Sequence, residues 1–134
     1  MHDLINNVKV VHAVPSGAYA NVAAINAAAV EVDIEDARSV IMFVTAGSIQ
    51  ATKNISITLQ GANTSGGAYS TLKDPAGDDA KLTFTEAGQA RVEVKDGELR
   101  RYLKILASTT DDGTSNLAVV IVAGRYETAG VDYS

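Results

Sequence analysis

The side chains that could carry out chemistry in this 134-residue sequence are few and scattered. Its two histidines, His2 and His12, have no obvious carboxylate partner that would position either of them as a general base. There is no cysteine, so disulfides and thiolate metal sites are excluded. Motifs of serine hydrolases, phosphate-binding loops and zinc proteases are absent as well. The sequence therefore predicts a protein that is not an enzyme and needs no cofactor.

Two pairs of adjacent aspartates are the best candidates for a metal site: Asp78 with Asp79, and Asp111 with Asp112. Calcium requires several oxygen ligands at compact spacing. Adjacent residues point apart on an extended chain, and aspartate is also a common turn residue. Both interpretations, a calcium site and a simple turn, stay open from the sequence.

Charge and hydropathy narrow the range of partners. The formal net charge is −5 and the pI is about 4.8, whereas binding to a phosphate backbone calls for a basic surface. No segment approaches the roughly 20 apolar residues that a membrane-spanning helix needs. We therefore expect neither nucleic acid nor membrane as a direct partner.

The chain consists mostly of short stretches in which apolar and polar residues alternate, a period typical of half-buried strands. These predicted strands cover residues 8–14, 28–34, 40–44, 55–59, 69–72, 81–85, 90–94, 102–107 and 117–122. Residues 74–77 predict a turn and residues 86–89 a hairpin, and the alanine-rich stretch 21–29 is interpreted as a loop. The small polar partners at Ser56 and Thr58 indicate a solvated sheet face. The predicted fold is all-β: a single antiparallel β-sandwich or jelly-roll-like barrel of about eight strands, forming one domain over residues 1–134.

The first fourteen residues have two interpretations. As an extended arm, they would add Val8, Val10 and Val14 as a strand to a neighbouring subunit, while Val11 and the rest would face either solvent or a partner surface. As the first strand of the chain's own sheet, they would belong to the core.

A basic stretch at residues 100–104 is the second candidate contact region. On a strand, Arg101 would share a face with Leu103, while Arg100 and Tyr102 would share the opposite face. We expect these cations to pair with acidic groups on a neighbouring strand or subunit. The candidate partner-binding residues are Leu4, Ile5, Val8, Val10, Arg100, Arg101 and Tyr102.

Several segments resemble small proteins encoded in the head gene cluster of tailed bacteriophages and prophages. Residues 3–11 (DLINNVKVV) are similar to their DLINNIKVV start, and residues 55–62 with 66–72 resemble their LQESDDGSTWTDV segment. Residues 99–105 look like their SKRYVRV strand, and residues 119–126 resemble their apolar last strand and its short ending. This chain lacks the acidic run and the tryptophan that follow the leucine in the middle segment.

The resemblance implies a virion structural protein, namely a capsid decoration or cement protein. Such a protein would be made in the host cytoplasm, bind the major capsid protein on the outer surface of the shell and associate as a homotrimer. Two alternatives stay open: a tail or head–tail joining protein, and a small carbohydrate-binding β-sandwich for host attachment.

Overall fold

The computed structural model describes residues 8–34, 37–95 and 97–124, with residue 95 described by its backbone alone. These residues form two antiparallel sheets packed face to face, an all-β sandwich of nine strands with one short helix, α1. The elements in chain order are β1 (Val8–Tyr19), α1 (Val22–Ala28), β2 (Val32–Asp33), β3 (Ser39–Ile49), β4 (Ile55–Ala62), β5 (Ser70–Thr71), β6 (Lys81–Phe84), β7 (Gly88–Lys95), β8 (Tyr102–Ser108) and β9 (Ser115–Gly124).

The strand order is that of a jelly roll. The front sheet has the order β1-β9-β3-β7, and the back sheet has the order β2-β8-β4-β5, with β6 also paired to β4. The chain changes sheets at nearly every connection, and strands that are distant in sequence lie side by side. The predicted all-β sandwich is therefore confirmed, and its strand order is that of a jelly roll.

The core follows from the alternation of aliphatic residues. On the front sheet, Met42, Val44 and Ile121 point inward and are fully buried. Ile57 and Leu59 of β4 are fully buried on the opposite side of the core. Each such side chain contributes about 1.5–3 kcal/mol through its removal from water. Since aromatic residues make up only 5% of the sequence, aliphatic packing holds the two sheets together.

The polar residues of β4 are not solvated as the sequence suggested. Ser56 and Thr58 are only 8% and 7% exposed, although they alternate with core residues. β4 lies between β8 and β6, and the neighbouring side chains cover its small outward-facing residues. Ser56 Oγ and Thr83 Oγ1 lie 2.9 Å apart and share a hydrogen bond, which satisfies the buried hydroxyl.

The segment after β1 corrects two predictions. The predicted loop at residues 21–29 contains α1, and the predicted strand at residues 28–34 is reduced to the two residues Val32–Asp33. The Asn21 side chain caps the helix by accepting a hydrogen bond from the Ala24 amide at 2.9 Å. Ile25 is the one buried side chain of this alanine-rich helix. The helix ends at Ala28, and of the residues that follow it only Val32 and Asp33 pair with β8.

The predicted hairpin at residues 86–89 is wrong. β6 pairs with β4 in the back sheet, whereas β7 pairs with β3 in the front sheet, so the connection crosses from one sheet to the other. A short glycine-containing connection suits a hairpin within one sheet and a crossing between two sheets equally well. Only the pairing with distant strands distinguishes these two arrangements. By contrast, the turn at residues 74–77 is confirmed: the Gly77 amide donates to Asp74 O at 2.9 Å, and Gly77 has a φ of +90° that favours glycine.

Candidate interaction surface

The candidate chemical residues do not converge into a site. His12 is exposed on β1 opposite Val120, and His2 lies outside the described residues. Within residues 8–34, 37–95 and 97–124, no three His, Cys, Asp or Glu side chains group in a way that could hold a metal ion.

The aspartates proposed as calcium ligands have partners within the fold. Lys73 donates a hydrogen bond to Asp79, which lowers the pKa of that carboxyl and raises the pKa of the lysine. Asp111 pairs with Lys53 at 2.9 Å between Oδ1 and Nζ. Asp112 Oδ1 accepts a hydrogen bond from the Val22 amide at 3.1 Å, at the start of α1. Asp79, Asp111 and Asp112 therefore act as anchors for turns and loops, the simpler of the two interpretations.

The N-terminal segment, as far as it is described, belongs to the chain's own front sheet. Residues 8–19 form β1, which pairs with β9, while Leu4 and Ile5 lie outside the described residues. Val8 and Val10 face outward, with 37% and 60% of their surface exposed. Val14 was expected on the same face, but it is fully buried.

A register shift in β1 explains the position of Val14. The pairing with β9 slips between His12 and Val14, and this irregularity turns Val14 into the core. Val11, expected to face either solvent or a partner surface, packs against the core on the inward side of the sheet. Before the shift, the side chains of β1 alternate between the outer and the inner face of the sheet, as the sequence predicts.

The basic stretch is used within the chain. Arg101 makes a two-pronged ion pair with Asp33 of the neighbouring strand β2, with both N–O distances at 3.1 Å. Its guanidinium carbon lies 5.2 Å from the centre of the Tyr102 ring, within the range of a cation–π contact. Arg100 donates to the carbonyl oxygens of Glu98 and Leu99, each at 3.2 Å. The expected pairing with an acidic group on a neighbouring strand is thus present at Arg101.

The predicted faces of residues 100 and 101 are wrong, because β8 begins only at Tyr102. From that residue on, Tyr102 faces outward and Leu103 inward as predicted, but Arg101 precedes the strand and is exposed. The basic stretch and the β1 segment approach each other at Asp33, whose backbone oxygen accepts a hydrogen bond from Lys9 Nζ at 2.6 Å. They nevertheless lie on different sheets and do not form one surface.

The structure reveals a surface that the sequence analysis missed. Adjacent strands of the front sheet place apolar side chains in two outward rows. In one row, Val122 of β9 lies between Val10 of β1 and Ile41 of β3. In the other, Val120 of β9 lies beside Phe43 of β3. We call this surface the apolar face; it comprises Val8, Val10, Ile41, Phe43, Val120 and Val122. The continuous apolar runs at residues 40–44 and 117–122 were its signal, since a strand with one solvated face would alternate.

The apolar face is exposed and flanked by charge. Val10 and Phe43 are 60% and 37% exposed, and Ile41, Val120 and Val122 are half-buried by their neighbours. On the adjoining strand β7, Glu93 stands beside Ile41 and Arg91 beside Phe43. Phe43 and Arg91 also line a shallow depression together with Thr45, Gln89 and Ala90.

A separate polar cluster fixes the loop between β4 and β5. The Glu31 carboxylate accepts hydrogen bonds from Ser65 Oγ at 2.6 Å, from the Gly66 amide at 2.9 Å and from the Tyr69 hydroxyl. These bonds favour the charged carboxylate and lower its pKa below the ordinary value of 4.5. Burial and the neighbouring Glu31 charge raise the pKa of Tyr69. Because its acceptor atoms are already occupied, the Glu31 carboxylate has a structural role in anchoring this loop.

Comparison with known proteins supports the fold. No protein-family model matches the chain, and no curated protein matches it either. Among solved structures, the SPBc2 prophage-derived protein YomS is similar with a TM-score of 0.51 at 11% identity, over 87% of this chain and 92% of that one. Eiger TNF from S. frugiperda has a TM-score of 0.38 at 14% identity, with 78% of this chain and 68% of that one covered. A Bacillus endospore appendage pilus protein has a TM-score of 0.39 at 11% identity, with 90% of each chain covered.

At 11% identity the likeness to YomS establishes a shared fold. The fold thus includes a phage-derived protein among its solved examples. As for membranes, no helix in the described ranges is long and apolar enough to cross a bilayer.

Proposed function

We propose that this protein is a phage virion structural protein that binds the outside of the capsid through its apolar face and stabilises the shell. One observation carries the proposal. Five large hydrophobic residues are exposed in the described part of the chain, and three of them, Val8, Val10 and Phe43, lie on the apolar face. Contiguous exposed apolar surface of this kind marks sites of protein interaction.

The architecture suits such a role. The apolar face spans β1 and the two inner strands β9 and β3 of the front sheet, and the opposite side of this sheet packs into the core. A rigid sheet loses little conformational freedom on docking, so more of the contact energy is available for binding. The sequence resemblance to phage head proteins and the fold shared with a prophage-derived protein both support a virion role.

The proposed partner is the major capsid protein, and the proposed arrangement on the shell is a homotrimer. Both come from the resemblance to phage decoration proteins. The basic stretch does not enter this proposal, since Arg101 is engaged with Asp33 of the same chain.

The proposal is tested by mixing purified capsids with matched pairs of variants in a co-sedimentation assay. Phe43→Gln removes a side chain of the apolar face, whereas Leu106→Gln removes one of similar exposure, 40% against 37%, on the back sheet. Val10→Gln is matched in the same way by Val30→Gln, because Val30 is 43% exposed and lies outside both sheets.

The expected losses follow from the exposed fractions. Full burial of such a side chain is worth about 1.5–3 kcal/mol, so the exposed parts of Phe43 and Val10 contribute about 1 kcal/mol each. Each substitution should weaken capsid binding about fivefold, and the double variant about 30-fold. The two controls should bind as the wild type does.

Electron microscopy of decorated particles then locates the protein. A regular array over the shell is the expected result. A single axial position would assign the protein to the tail or the head–tail junction. If the wild-type protein does not bind capsids, or if the Leu106 control weakens binding as much as the Phe43 variant, the proposed function is wrong.

A further inference from the structure

The row of outward side chains that contains Phe43 ends in a basic residue on each side. His12 of β1 stands beside Val120 at one end of the row. At the other end, Arg91 of β7 stands directly opposite Phe43. In the described ranges β7 has one ladder partner, β3, and residues 88–91 at this edge of the sheet are exposed. The Arg91 guanidinium therefore lies at the border of the apolar face, accessible to a molecule that docks there.

Arg91 is not neutralised within the fold. In the part of the chain that the structure describes, its guanidinium makes no hydrogen bond and no ion pair. Glu93, the one carboxylate of β7, already has a partner within the fold. A guanidinium presents five N–H donors in a planar fork that matches a carboxylate. Arg91 is therefore available to bind an anionic group of another molecule.

The surface beside Arg91 is concave. Phe43, Thr45, Gln89 and Arg91 border a depression of about 230 Å³. Pockets for drug-sized ligands measure about 300–1,000 Å³, so this smaller and open depression suits a single side chain of a partner. The Phe43 ring gives it an apolar wall, and the polar side chains stand around that wall. An acidic side chain, which has an aliphatic stem and a carboxylate end, fits both features.

The charges of the front sheet distinguish a different protein from a second copy as the occupant. The chain has a net charge of −5, yet the four strands of this sheet contain a single acidic residue, Glu93, which is already partnered. A second copy docked face to face would therefore bring no unpaired carboxylate to Arg91. Electrostatic complementarity selects partners and suppresses wrong ones. The acidic group must come from another protein.

We infer that the depression receives an acidic side chain of the partner protein, whose carboxylate pairs with the Arg91 guanidinium while its stem packs on the Phe43 ring. The inference rests on the proposed function, since it takes the apolar face as the docking surface, and it adds the chemistry of the partner. Directly opposed residues on neighbouring strands have Cβ atoms about 5 Å apart. The partner therefore presents a carboxylate at the rim of an apolar patch.

Substitutions of Arg91 test the pairing in co-sedimentation with purified capsids. Arg91→Gln removes the charge and keeps a long polar side chain. Lys81→Gln makes the same charge change at an exposed residue of β6 and is the matched control. We expect Arg91→Gln to weaken binding about tenfold and the control to bind as the wild type does. Arg91→Lys should fall between them, because it keeps the charge but loses the planar fork.

Salt dependence gives a second readout in the same assay. Raising the NaCl concentration from about 50 mM to about 500 mM should weaken wild-type binding through screening of the ion pair. The effect should be smaller for Arg91→Gln than for the wild type and the Lys81 control. Circular dichroism confirms that each variant is folded.

A small probe tests the depression without capsids. Phenylacetate joins a carboxylate to an apolar ring, and phenylacetamide is its uncharged match. In NMR titrations phenylacetate should shift the Arg91 Nε–H and Phe43 ring signals, with a dissociation constant on the order of 10 mM. The amide should bind at least threefold more weakly, and this preference should vanish in Arg91→Gln.

The outcomes separate this inference from the proposed function. Equal capsid binding by the wild type and Arg91→Gln, with Phe43→Gln still impaired, would overturn the inference and leave the proposed function in place. Capsids that do not bind the wild type would refute the proposed function, and the probe titration then decides the inference. Shifts that map away from the depression, or that the amide produces as strongly as the carboxylate, overturn it.

Discussion

Replacing Asn26 with alanine should measurably destabilise the protein, because this side chain takes up the backbone hydrogen bonds at the edge of β8 that no strand pairs with in the described residues. Asn26 Oδ1 accepts a hydrogen bond from the Ala107 amide at 2.8 Å, and its Nδ2 donates to the Ala107 carbonyl at 3.0 Å. The carboxamide thus takes the place of a neighbouring strand at a position that β2 does not reach. A helix that is peripheral to both sheets thereby holds the edge of the back sheet.

The size of the effect follows from these two bonds. Each hydrogen bond contributes about 1 kcal/mol net, and an unpaired buried amide or carbonyl adds a desolvation cost of about 1–3 kcal/mol. Ala107 is only 3% exposed, so water cannot easily replace the lost partner. The better helix propensity of alanine returns about 0.5 kcal/mol. We therefore expect Asn26→Ala to lower the free energy of unfolding by about 3 kcal/mol, or about 9 °C in Tm for a domain of this size.

Chemical denaturation of Asn26→Ala beside Asn116→Ala measures this effect. Asn116 is exposed and makes a single long side-chain bond of 3.4 Å to Ser48, so its loss should cost less than about 0.5 kcal/mol. Hydrogen exchange of the Ala107 amide adds a local readout, since its protection should fall in the Asn26 variant. Equal stability of both variants, with the Ala107 amide still fully protected, would refute the reasoning.

Two further predictions concern the loop between β4 and β5 and the packing of β4. Since the pKa of Glu31 is lowered, its contacts with Tyr69 and the loop stabilise the fold above pH 4.5, and this contribution is lost as the pH falls below that value. The Tm difference between wild type and Glu31→Gln should therefore be present at pH 7 and shrink as the pH falls below 4.5; a constant gap would contradict this. Gly61→Ala should cost about 1–3 kcal/mol, because the new methyl would lie 2.9 Å from Arg100 Cβ. Gly88→Ala, which meets nothing within 4 Å, is its control in denaturant unfolding.

Alternation of apolar and polar residues predicted part of the core correctly. The alternation at residues 55–59 and 102–107 places Ile57, Leu59, Leu103 and Ile105 correctly in the core. The same rule failed at residues 28–34, where only Val32 and Asp33 find strand partners, on β8. Period-two patterns record local geometry, whereas the number of residues that pair depends on a neighbour far along the chain.

For the apolar face, too, the sequence showed the local pattern but not the long-range pairing. The apolar runs of β3 and β9 were visible in sequence, but their junction into one face required the pairing of Ile41 with Val122 and of Phe43 with Val120, about eighty residues apart. Arg101 was correctly expected to pair with an acidic group, yet its partner Asp33 is 68 residues away and could not be named.

By itself, the sequence determined the class of fold, the aliphatic composition of the core and the turn at residues 74–77. These depend on hydrophobic periodicity and on the local preferences of glycine, proline and aspartate. Only the tertiary structure decided which strands are neighbours, which outward side chains form one surface and which edge stays open. The physical reason is that pairing between distant strands depends on how whole sheets pack, and no short stretch of residues contains that information.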